Sequence, residues 1–120
     1  MFQSKGNKGG GTKRLTDKEL AIRRTIRDIK KSATSRGKKV EINDNQIREL
    51  LLQPCYYCGG VSQRVAGEYN GIDRLDNELG YTLDNIVACC GTCNRMKFQM
   101  NEYEFKNHIM KIYWNKVREL

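Results

Sequence analysis

The chain has 120 residues, which suffices for one small domain but limits the core that hydrophobic burial alone can build. Its 22 lysines and arginines exceed its 14 acidic residues, and the net charge of +8 favours a polyanionic partner, either nucleic acid or an anionic membrane surface. The longest apolar runs, residues 50–52 and 86–90, fall far short of the roughly 18 residues of a spanning helix, which excludes a membrane-spanning protein.

The first 14 residues predict a disordered basic tail. They contain four glycines and four basic residues but too little apolar surface to bury a core. A solubilising leader is the alternative interpretation. Because this segment lacks the apolar centre of a signal peptide, we expect a cytoplasmic protein in a reducing compartment. There, cysteines at close spacing bind metal more often than they form disulfides.

A basic helix follows the tail. Thr16 and Glu19 have the spacing of a capping box, which predicts a helix over residues 17–34. Beside a thin apolar stripe it carries basic side chains that we expect to contact phosphate groups, although a merely solvated face is the alternative. These side chains are Arg23, Arg24, Arg27, Lys30 and Lys31. Asn43 then predicts the cap of a second helix, which Pro54 ends.

Two pairs of cysteines, each with two intervening residues, predict a metal site. The pairs are CYYC at residues 55–58 and CGTC at residues 90–93. Four thiolates in this arrangement complete a closed, tetrahedral zinc site of the structural kind, with Cys55, Cys58, Cys90 and Cys93 as ligands. We expect Cys89 to be an apolar strand residue, although Cys89 in place of Cys90 is an alternative ligand.

The segment between and after these pairs predicts a β-hairpin followed by a helix. Its elements are a strand over residues 72–75, a loop over 76–80, a second strand over 86–89 and a helix from Asn94 onward. Because the second cysteine pair lies between the second strand and the helix, we expect the zinc site to hold this junction together.

This segment resembles the ββα-metal core of the HNH endonuclease family, in particular its phage and mobile-element members with paired zinc knuckles. The family has an Asp in the first strand, an Asn before the second strand, a His or Asn after the last cysteine and a Lys three residues later. Here these positions hold Asp73, Asn85, Asn94 and Lys97. The resemblance covers about residues 50–100 and implies an α+β fold with a ββα-metal (His-Me finger) core between N-terminal and C-terminal helices.

The same resemblance implies a divalent-metal-dependent endonuclease that hydrolyses DNA phosphodiester bonds by nicking or cleavage. Asp73 and Asn94 would hold one Mg²⁺ or Mn²⁺, because carboxylate and amide oxygens are the hard ligands that these ions prefer. Asn85 would brace the hairpin loop. Arg74 and Lys97 would bind phosphate oxygens. A phage-encoded protein acting in a bacterial host fits this resemblance.

The general base is missing from its usual place. The family commonly has His directly after the first Asp, whereas Arg74 stays protonated and cannot accept a proton. Some members place the base three residues after the Asp, which here is Asp76, a weak base unless burial raises its pKa. His108 is a further candidate. Water could also be activated as a metal-bound hydroxide or by the substrate itself, or the domain could be catalytically inactive.

Asn101 and Glu104 predict another capping box, which opens a helix to about residue 117. Several of its apolar side chains are expected to face the core, with the tryptophan as a partial lid. They are Phe105, Ile109, Ile112, Tyr113 and Trp114. The chain is thus expected to comprise the tail 1–14, a basic helical region 15–53 and a zinc-stapled HNH-like domain 54–120.

A second function class is a non-catalytic DNA-binding module that resembles a zinc ribbon. It accounts for the cysteines and the basic charge but leaves four residues without a role, namely Asp73, Asn85, Asn94 and Lys97. A zinc domain that binds other proteins is a more distant alternative. We expect DNA as the partner and no association with a membrane, and the sequence points to no protein partner or homodimer.

Overall fold

The computed structural model describes residues 14–120, so that all but the last residue of the predicted basic tail lies outside the described residues. The elements are α1 (Asp17–Ser35), α2 (Asp44–Leu51), β1 (Gln63–Arg64), β2 (Gly67–Glu68), β3 (Gly71–Arg74), β4 (Ile86–Cys89), α3 (Gly91–Lys97) and α4 (Glu102–Ile112), followed by a π-helical turn (Tyr113–Val117). The predicted α+β fold is confirmed. Within residues 14–120, no helix has the length and apolar content to cross a membrane.

The first two helices begin at the predicted caps, but their caps differ in completeness. Thr16 accepts a hydrogen bond from the Glu19 amide at 3.1 Å, yet the predicted reciprocal bond, in which the Thr16 amide donates to the Glu19 carboxylate, is absent. That carboxylate instead pairs with Arg48 on α2 and lies 3.8 Å from Arg23, because an ion pair between helices competes with the local cap. At α2 the box is complete, through Asn43 and Gln46.

The core lies between the first two helices and the central hairpin. Helix α1 packs on α2 and β2, and α2 packs on β3 and β4. The core residues are Ala21, Ile22, Ile26, Ala33, Ile42, Ile47, Leu51, Tyr69, Tyr81 and Ile86. The predicted boundary between regions 15–53 and 54–120 therefore runs through one shared core.

Two antiparallel hairpins follow α2. In the second hairpin, β3 pairs with β4 so that Asp73 lies opposite Val87. The strand begins and ends one residue earlier than predicted, and Leu75 continues the pairing with a single bond from its amide to the Asn85 carbonyl at 2.8 Å. The first hairpin, β1 with β2, was not predicted, because two-residue strands carry no detectable alternation of apolar and polar residues.

The loop before β4 is tied to the segment after α1. The Tyr81 amide donates to the Lys39 carbonyl and the Glu41 amide to the Tyr81 carbonyl, both at 2.9 Å. This approach requires glycine at position 80, because a Cβ atom there would lie 2.8 Å from the Lys39 carbonyl oxygen. The loop of the hairpin is therefore held against the segment after α1.

Helix α3 begins at Gly91, three residues earlier than predicted. Cys90 is its N-cap, and the Cys90 sulfur accepts a hydrogen bond from the Cys93 amide at 3.3 Å. The prediction missed this because cysteine is not a common cap residue. Asn94 consequently lies inside the helix, which leaves its side chain uninvolved in capping.

The last helix differs from its prediction in packing. Of the five side chains expected at the core, Phe105 alone is buried, and its ring packs edge-on against Tyr57 with centroids 5.1 Å apart. Trp114 is 54% exposed, and every residue from 106 to 120 is exposed. The expectation that Ile109, Ile112, Tyr113 and Trp114 cover the core is wrong, because α1, α2 and the hairpin already fill it.

Candidate functional site

The four predicted zinc ligands meet in one cluster. The sulfur atoms of Cys55, Cys58, Cys90 and Cys93 all lie within 4.8 Å of one another, and those of Cys58 and Cys90 are 3.7 Å apart. A tetrahedral zinc ion with bonds of about 2.3 Å places its sulfur ligands about 3.8 Å apart. The cluster therefore fits one zinc ion. Cys89 is not part of it, and its buried thiol donates to the Cys90 carbonyl at 3.5 Å.

The thiols of this region differ in acidity. Burial opposes ionisation of Cys55, but backbone hydrogen bonds from Cys58, Cys90 and Tyr57 outweigh it and lower the pKa of Cys55 to about 6. Burial raises the pKa of Cys93, and neighbouring sulfur atoms raise it further. Holding all four groups as thiolates therefore requires a cation at the centre of the cluster.

Asn70 fixes the first knuckle to the rest of the fold and was missed by the sequence analysis. Its side chain is completely buried and donates to the carbonyls of Gln53 at 2.8 Å and Gly60 at 3.1 Å. Its side-chain oxygen accepts a hydrogen bond from the Ser62 backbone amide, and its backbone amide donates one to the Leu51 carbonyl. A single buried amide thus joins the end of α2, the knuckle and β3.

Asp73 is buried in a network of polar contacts. Its carboxylate accepts a hydrogen bond from the Tyr57 hydroxyl at 2.9 Å. The Lys97 ammonium lies 3.1 Å from Oδ2 and 3.3 Å from Oδ1 of Asp73, and donates to the Arg74 carbonyl at 3.0 Å. The network compensates the buried negative charge, which would otherwise be costly.

Lys97 does not occupy the position that the sequence analysis expected. A lysine that binds phosphate as a point charge has to present its ammonium at the surface, but Lys97 is completely buried beneath Asp73. Its ammonium is engaged by Asp73 and by the Arg74 carbonyl, and the direct contact with DNA stays a prediction. The burial of Lys97 could not be predicted from its place in a helix, because it depends on a partner from another element, here Asp73 of β3.

Tyr57 is a further residue that the sequence analysis missed. Burial raises the pKa of its hydroxyl, and the Asp73 charge raises it further. The hydroxyl therefore stays protonated and donates to Asp73 at neutral pH. Its position between Cys55 and Cys58 could have indicated a role, because the backbone of a knuckle is fixed once both cysteines bind an ion and its side chains then point in fixed directions.

A cleft of about 490 Å³ brings together the two residues predicted to bind the catalytic cation. Asp73 reaches it from β3 and Asn94 from α3. The other side chains that line it come from α1 and its end, from the hairpin loop and from the residues after α3. They are Ile29, Ser32, Arg36, Ile72, Arg74, Asn77, Glu78, Tyr81, Phe98 and Gln99. Asp73 and Asn94 therefore line one cleft.

Arg74 lines the cleft but is engaged by the loop that follows it. Its Nη1 donates to the carbonyls of Asn77 and Leu79, each at 2.8 Å. Its guanidinium carbon lies 5.1 Å from the centre of the Tyr81 ring. Because the guanidinium has five N–H donors, these bonds orient the group without using all of it.

Asn85 and Asp76 organise the same loop. The buried Asn85 amide donates to the Gly80 carbonyl at 2.8 Å and the Asp76 carbonyl at 3.1 Å, and its oxygen accepts from the Asp76 amide at 3.0 Å. The Asp76 carboxylate accepts from the Glu78 amide at 2.9 Å. Among the described residues that line the cleft, Glu78 is present and Asp76 and His108 are not.

The predicted basic face is exposed along α1. Lys30 lies 2.7 Å from Asp44, and Arg23 lies 3.8 Å from Glu19. The five basic residues are Arg23, Arg24, Arg27, Lys30 and Lys31. Ile29 and Ser32 of the same helix line the cleft, and at 100° per residue they lie on the side of α1 opposite to the basic face.

The fold is similar to that of a solved nuclease. The HNH restriction endonuclease PacI, which is described as rare-cutting, superposes with a TM-score of 0.60 over 88% of this chain and 92% of that chain. The chain has the fold of an HNH endonuclease. Sequence identity to PacI is 20%, so the HNH fold and not the activity is what this similarity establishes. No family model matches the chain.

Two viral proteins of uncharacterised function are similar in sequence. Protein R423 of Acanthamoeba polyphaga mimivirus is 36% identical over 76 residues, which are 63% of this chain and 14% of that protein. A 29.0 kDa protein from the dda-modA intergenic region of Enterobacteria phage T4 is 33% identical over 69 residues, or 56% of this chain and 28% of that protein. The chain thus spans a small part of the length of either relative.

Proposed function

We propose that this protein is a divalent-metal-dependent HNH endonuclease that nicks or cleaves DNA by hydrolysing phosphodiester bonds. The observation that carries the proposal is that Asp73 and Asn94 line the same cleft of an HNH fold. Carboxylate and amide oxygens are hard ligands, whereas the sulfur cluster is soft. The two sites therefore suit different ions, zinc at the cluster and Mg²⁺ or Mn²⁺ at the cleft.

The residues of the cleft fit a small divalent cation. A carboxylate offers about four acceptor positions. Three contacts reach Asp73, one from Tyr57 and two from Lys97, so one position on Oδ1 remains. Asn94 is exposed and contributes its side-chain oxygen from α3. When bound there, the cation would stabilise negative charge on the phosphate and on the leaving oxygen.

The chain's own residues orient the phosphate. Arg74 and Arg36 line the cleft, and each is held by the protein: Arg74 by loop carbonyls and Arg36 by the Tyr81 hydroxyl at 2.9 Å. Guanidinium groups held in this way lose little freedom when they bind a phosphate oxygen. The basic face of α1 adds a sequence-independent attraction to the DNA backbone.

The base that activates water is assigned to a carboxylate of the loop. Asp76 remains the candidate that the sequence predicts, but its carboxylate accepts from the Glu78 amide and its side chain does not line the cleft. Glu78 does line the cleft, and Asp73 is engaged as the metal ligand. We therefore place Glu78 first and Asp76 second for this role.

A non-catalytic DNA-binding module is the second candidate function. The observation that favours it is the ion pair between Lys97 and Asp73, since a buried ammonium at a carboxylate competes with a divalent cation for the same negative charge. Such a module would use the zinc cluster and the basic face but would not need Asn94.

The test is the conversion of supercoiled plasmid to its nicked form. The zinc-loaded protein is compared in Mg²⁺, in Mn²⁺ and without added divalent cation, beside Asp73→Asn and Asn94→Ala. Asp84→Asn serves as the matched control, because Asp84 is an exposed carboxylate that bonds Thr82. Loss of a cation ligand worth several kcal/mol should slow nicking by at least about 100-fold, and the control should not.

Both ligand variants must keep wild-type zinc content and circular dichroism before their activity is compared. Metal-dependent nicking that both variants lose supports the nuclease. Binding of plasmid with no nicking in either cation, or nicking that Asp73→Asn and Asn94→Ala retain in full, contradicts it.

A further inference from the structure

A second cavity, of about 640 Å³, lies beside the zinc cluster. Its polar side chains include two guanidinium groups and two hydroxyls, from Arg64, Arg95, Ser62 and Thr92, and no carboxylate lines it. It is separate from the cleft that holds Asp73 and Asn94, with which it shares no lining residue among residues 14–120. Neither the predicted DNA contacts nor the proposed catalytic site uses it.

The Arg64 guanidinium is oriented by the protein. Its Nε donates to the Tyr69 carbonyl at 2.8 Å, and its guanidinium carbon lies 4.2 Å above the centre of the Tyr69 ring. Arginine has five N–H donors, so the four on its terminal nitrogens remain for a ligand. A side chain held on two sides has less conformational entropy to lose when it binds.

Arg95 reaches the cavity from α3. Its guanidinium lies across Gly91 one turn earlier, where a Cβ atom would be 3.2 Å from Nη1 of Arg95. The Gly91 amide in turn donates to the Ser62 hydroxyl at 3.0 Å. Within the part of the chain that the structure describes, neither Arg64 nor Arg95 forms a salt bridge.

The guanidinium groups of the cavity suit an anion. Two of them line it and no carboxylate does, and the negative charge at its wall is that of the Cys58 and Cys90 thiolates, which a bound zinc ion partly neutralises. Each guanidinium presents a planar fork that matches phosphate oxygens. The Ser62 and Thr92 hydroxyls supply further donors. A tetrahedral oxyanion is therefore the ligand that this donor set fits best.

Helix α3 connects this cavity to the proposed catalytic cleft. Asn94 lines the cleft and Arg95, the next residue, lines the cavity. Consecutive residues of a helix point about 100° apart while their Cα atoms are only about 3.8 Å apart. A DNA strand whose scissile phosphate lies near Asn94 therefore has other phosphates within reach of Arg95.

We propose that Arg64 and Arg95 together bind one backbone phosphate of the DNA strand, at a position other than the scissile bond. This inference rests on the proposed function for the identity of the ligand. It assigns the pocket a positioning role, because the site grips the backbone without touching the reacting atoms.

The test is the salt dependence of binding to a fluorescent DNA duplex, measured by anisotropy without added divalent cation. The zinc-loaded wild-type chain is compared with Arg64→Gln, Arg95→Gln and the double variant. Arg118→Gln is the matched control, because it removes an exposed guanidinium from the C-terminal turn. Arg64→Gln could weaken binding by disturbing the fold, because Arg64 is bonded to Tyr69. Arg95→Gln leaves that bond in place and therefore tests the pocket separately.

Each single variant should bind the duplex about tenfold more weakly, as expected for loss of a charge-assisted hydrogen bond. The double variant should reduce the slope of log K against log salt by about 0.9, the value for one phosphate. A reduction of about 1.8 would indicate two separate phosphates and overturn the shared pocket. An unchanged slope, or an equal loss in the Arg118→Gln control, would overturn it as well.

The binding assay tests the phosphate pocket and the plasmid assay tests the nuclease, so either proposal can be contradicted without the other. If the slope changes as expected but no nicking occurs in Mg²⁺ or Mn²⁺, the phosphate pocket stands and the nuclease proposal falls. If the wild type nicks plasmid while the double variant binds with an unchanged slope, the nuclease stands and the pocket falls.

Discussion

The segment 55–97, which carries the four clustered cysteines, and the helix α4 illustrate two different relations between a sequence pattern and a fold. In residues 55–97, ligand spacing predicts which side chains meet, and the four cysteines do meet. In α4, apolar periodicity predicts a helix correctly but predicts its packing wrongly, because Ile109 and Ile112 are exposed. Cysteine spacing specifies a partner for each residue, whereas periodicity specifies only a face.

The difference has an energetic cause. Four thiolates around one ion release a large free energy on binding, which forces four distant residues into one place. An apolar helical face gains free energy only from a surface that it meets. In the described part of the chain the core is closed by α1, α2 and the hairpin before α4 begins, so that Phe105 alone is buried there among the residues expected at the core.

The largest expected effect is loss of the zinc cluster. Cys93→Ser should remove one ligand, release the ion and unfold the segment around it, because structural zinc supplies on the order of 10 kcal/mol in small domains. Zinc content and near-ultraviolet circular dichroism measure this. Cys89→Ala is the matched control, since Cys89 is equally buried and lies outside the cluster. A Cys89→Ala protein without zinc would contradict the ligand assignment.

The second prediction compares two aromatic residues of the C-terminal segment. Phe105→Ala should lower the free energy of unfolding by about 3–5 kcal/mol, because it empties a buried site against Tyr57. Trp114→Ala should change it by less than about 0.5 kcal/mol, because Trp114 is exposed. Urea denaturation measures both. If Trp114→Ala lowered the free energy of unfolding as much as Phe105→Ala, the exposed position of Trp114 would be contradicted.

The third prediction concerns the contact of the hairpin loop with the segment after α1. Gly80→Ala should cost about 1–3 kcal/mol, because the added methyl group would meet the Lys39 carbonyl oxygen, a backbone atom that cannot rotate away. Gly60→Ala is the control, since its Cβ would make an ordinary contact with the Cys58 sulfur at 3.5 Å. Equal thermal stability of both variants and the wild type would show that the loop is free to move.

The smallest expected effect is the pH dependence of the contact between the zinc knuckle and α4. The Tyr56 hydroxyl donates to Glu102, which lowers the pKa of that carboxyl and raises the pKa of the phenol. A lowered carboxyl pKa contributes stability above the unfolded pKa of about 4.3, and the contribution disappears as the pH falls through the folded value. A raised phenol pKa contributes stability below about pH 10 and loses it at higher pH.

Because the Glu102 side chain is partly exposed, this contribution should stay below about 1 kcal/mol. Glu102→Gln should therefore flatten the difference in melting temperature between pH 7 and pH 3 slightly, relative to the wild type. Glu49→Gln, which alters an exposed carboxylate on α2, should leave that difference unchanged. A larger effect for the control than for Glu102→Gln would contradict the assignment.

Much of the fold was predictable because its determinants are local or involve strong ligands. The caps at Thr16, Asn43 and Asn101 mark the helix starts, and the cysteine pairs identify the cluster. Strand β4 was predicted with its observed bounds. In each case the deciding interaction joins residues a few positions apart, or residues of one chemical type that bind a single ion.

The surroundings of Asp73 were not predictable in the same way. The burial of Lys97, the hydroxyl of Tyr57 and the cross-links of Asn70 each join elements that are distant in sequence. Their residue types are common on protein surfaces and give no signal of burial by themselves. Arg74 likewise turns toward loop carbonyls that no motif specifies.

The place of Tyr57 inside the first knuckle has a consequence for the order of events during assembly. Its hydroxyl reaches Asp73 from a turn whose two ends are Cys55 and Cys58. Because Tyr57 lies between two ligands, we expect its hydroxyl to reach Asp73, a residue of the cleft, only once that turn has closed around an ion. We expect the same contact to be lost when the ion is withdrawn.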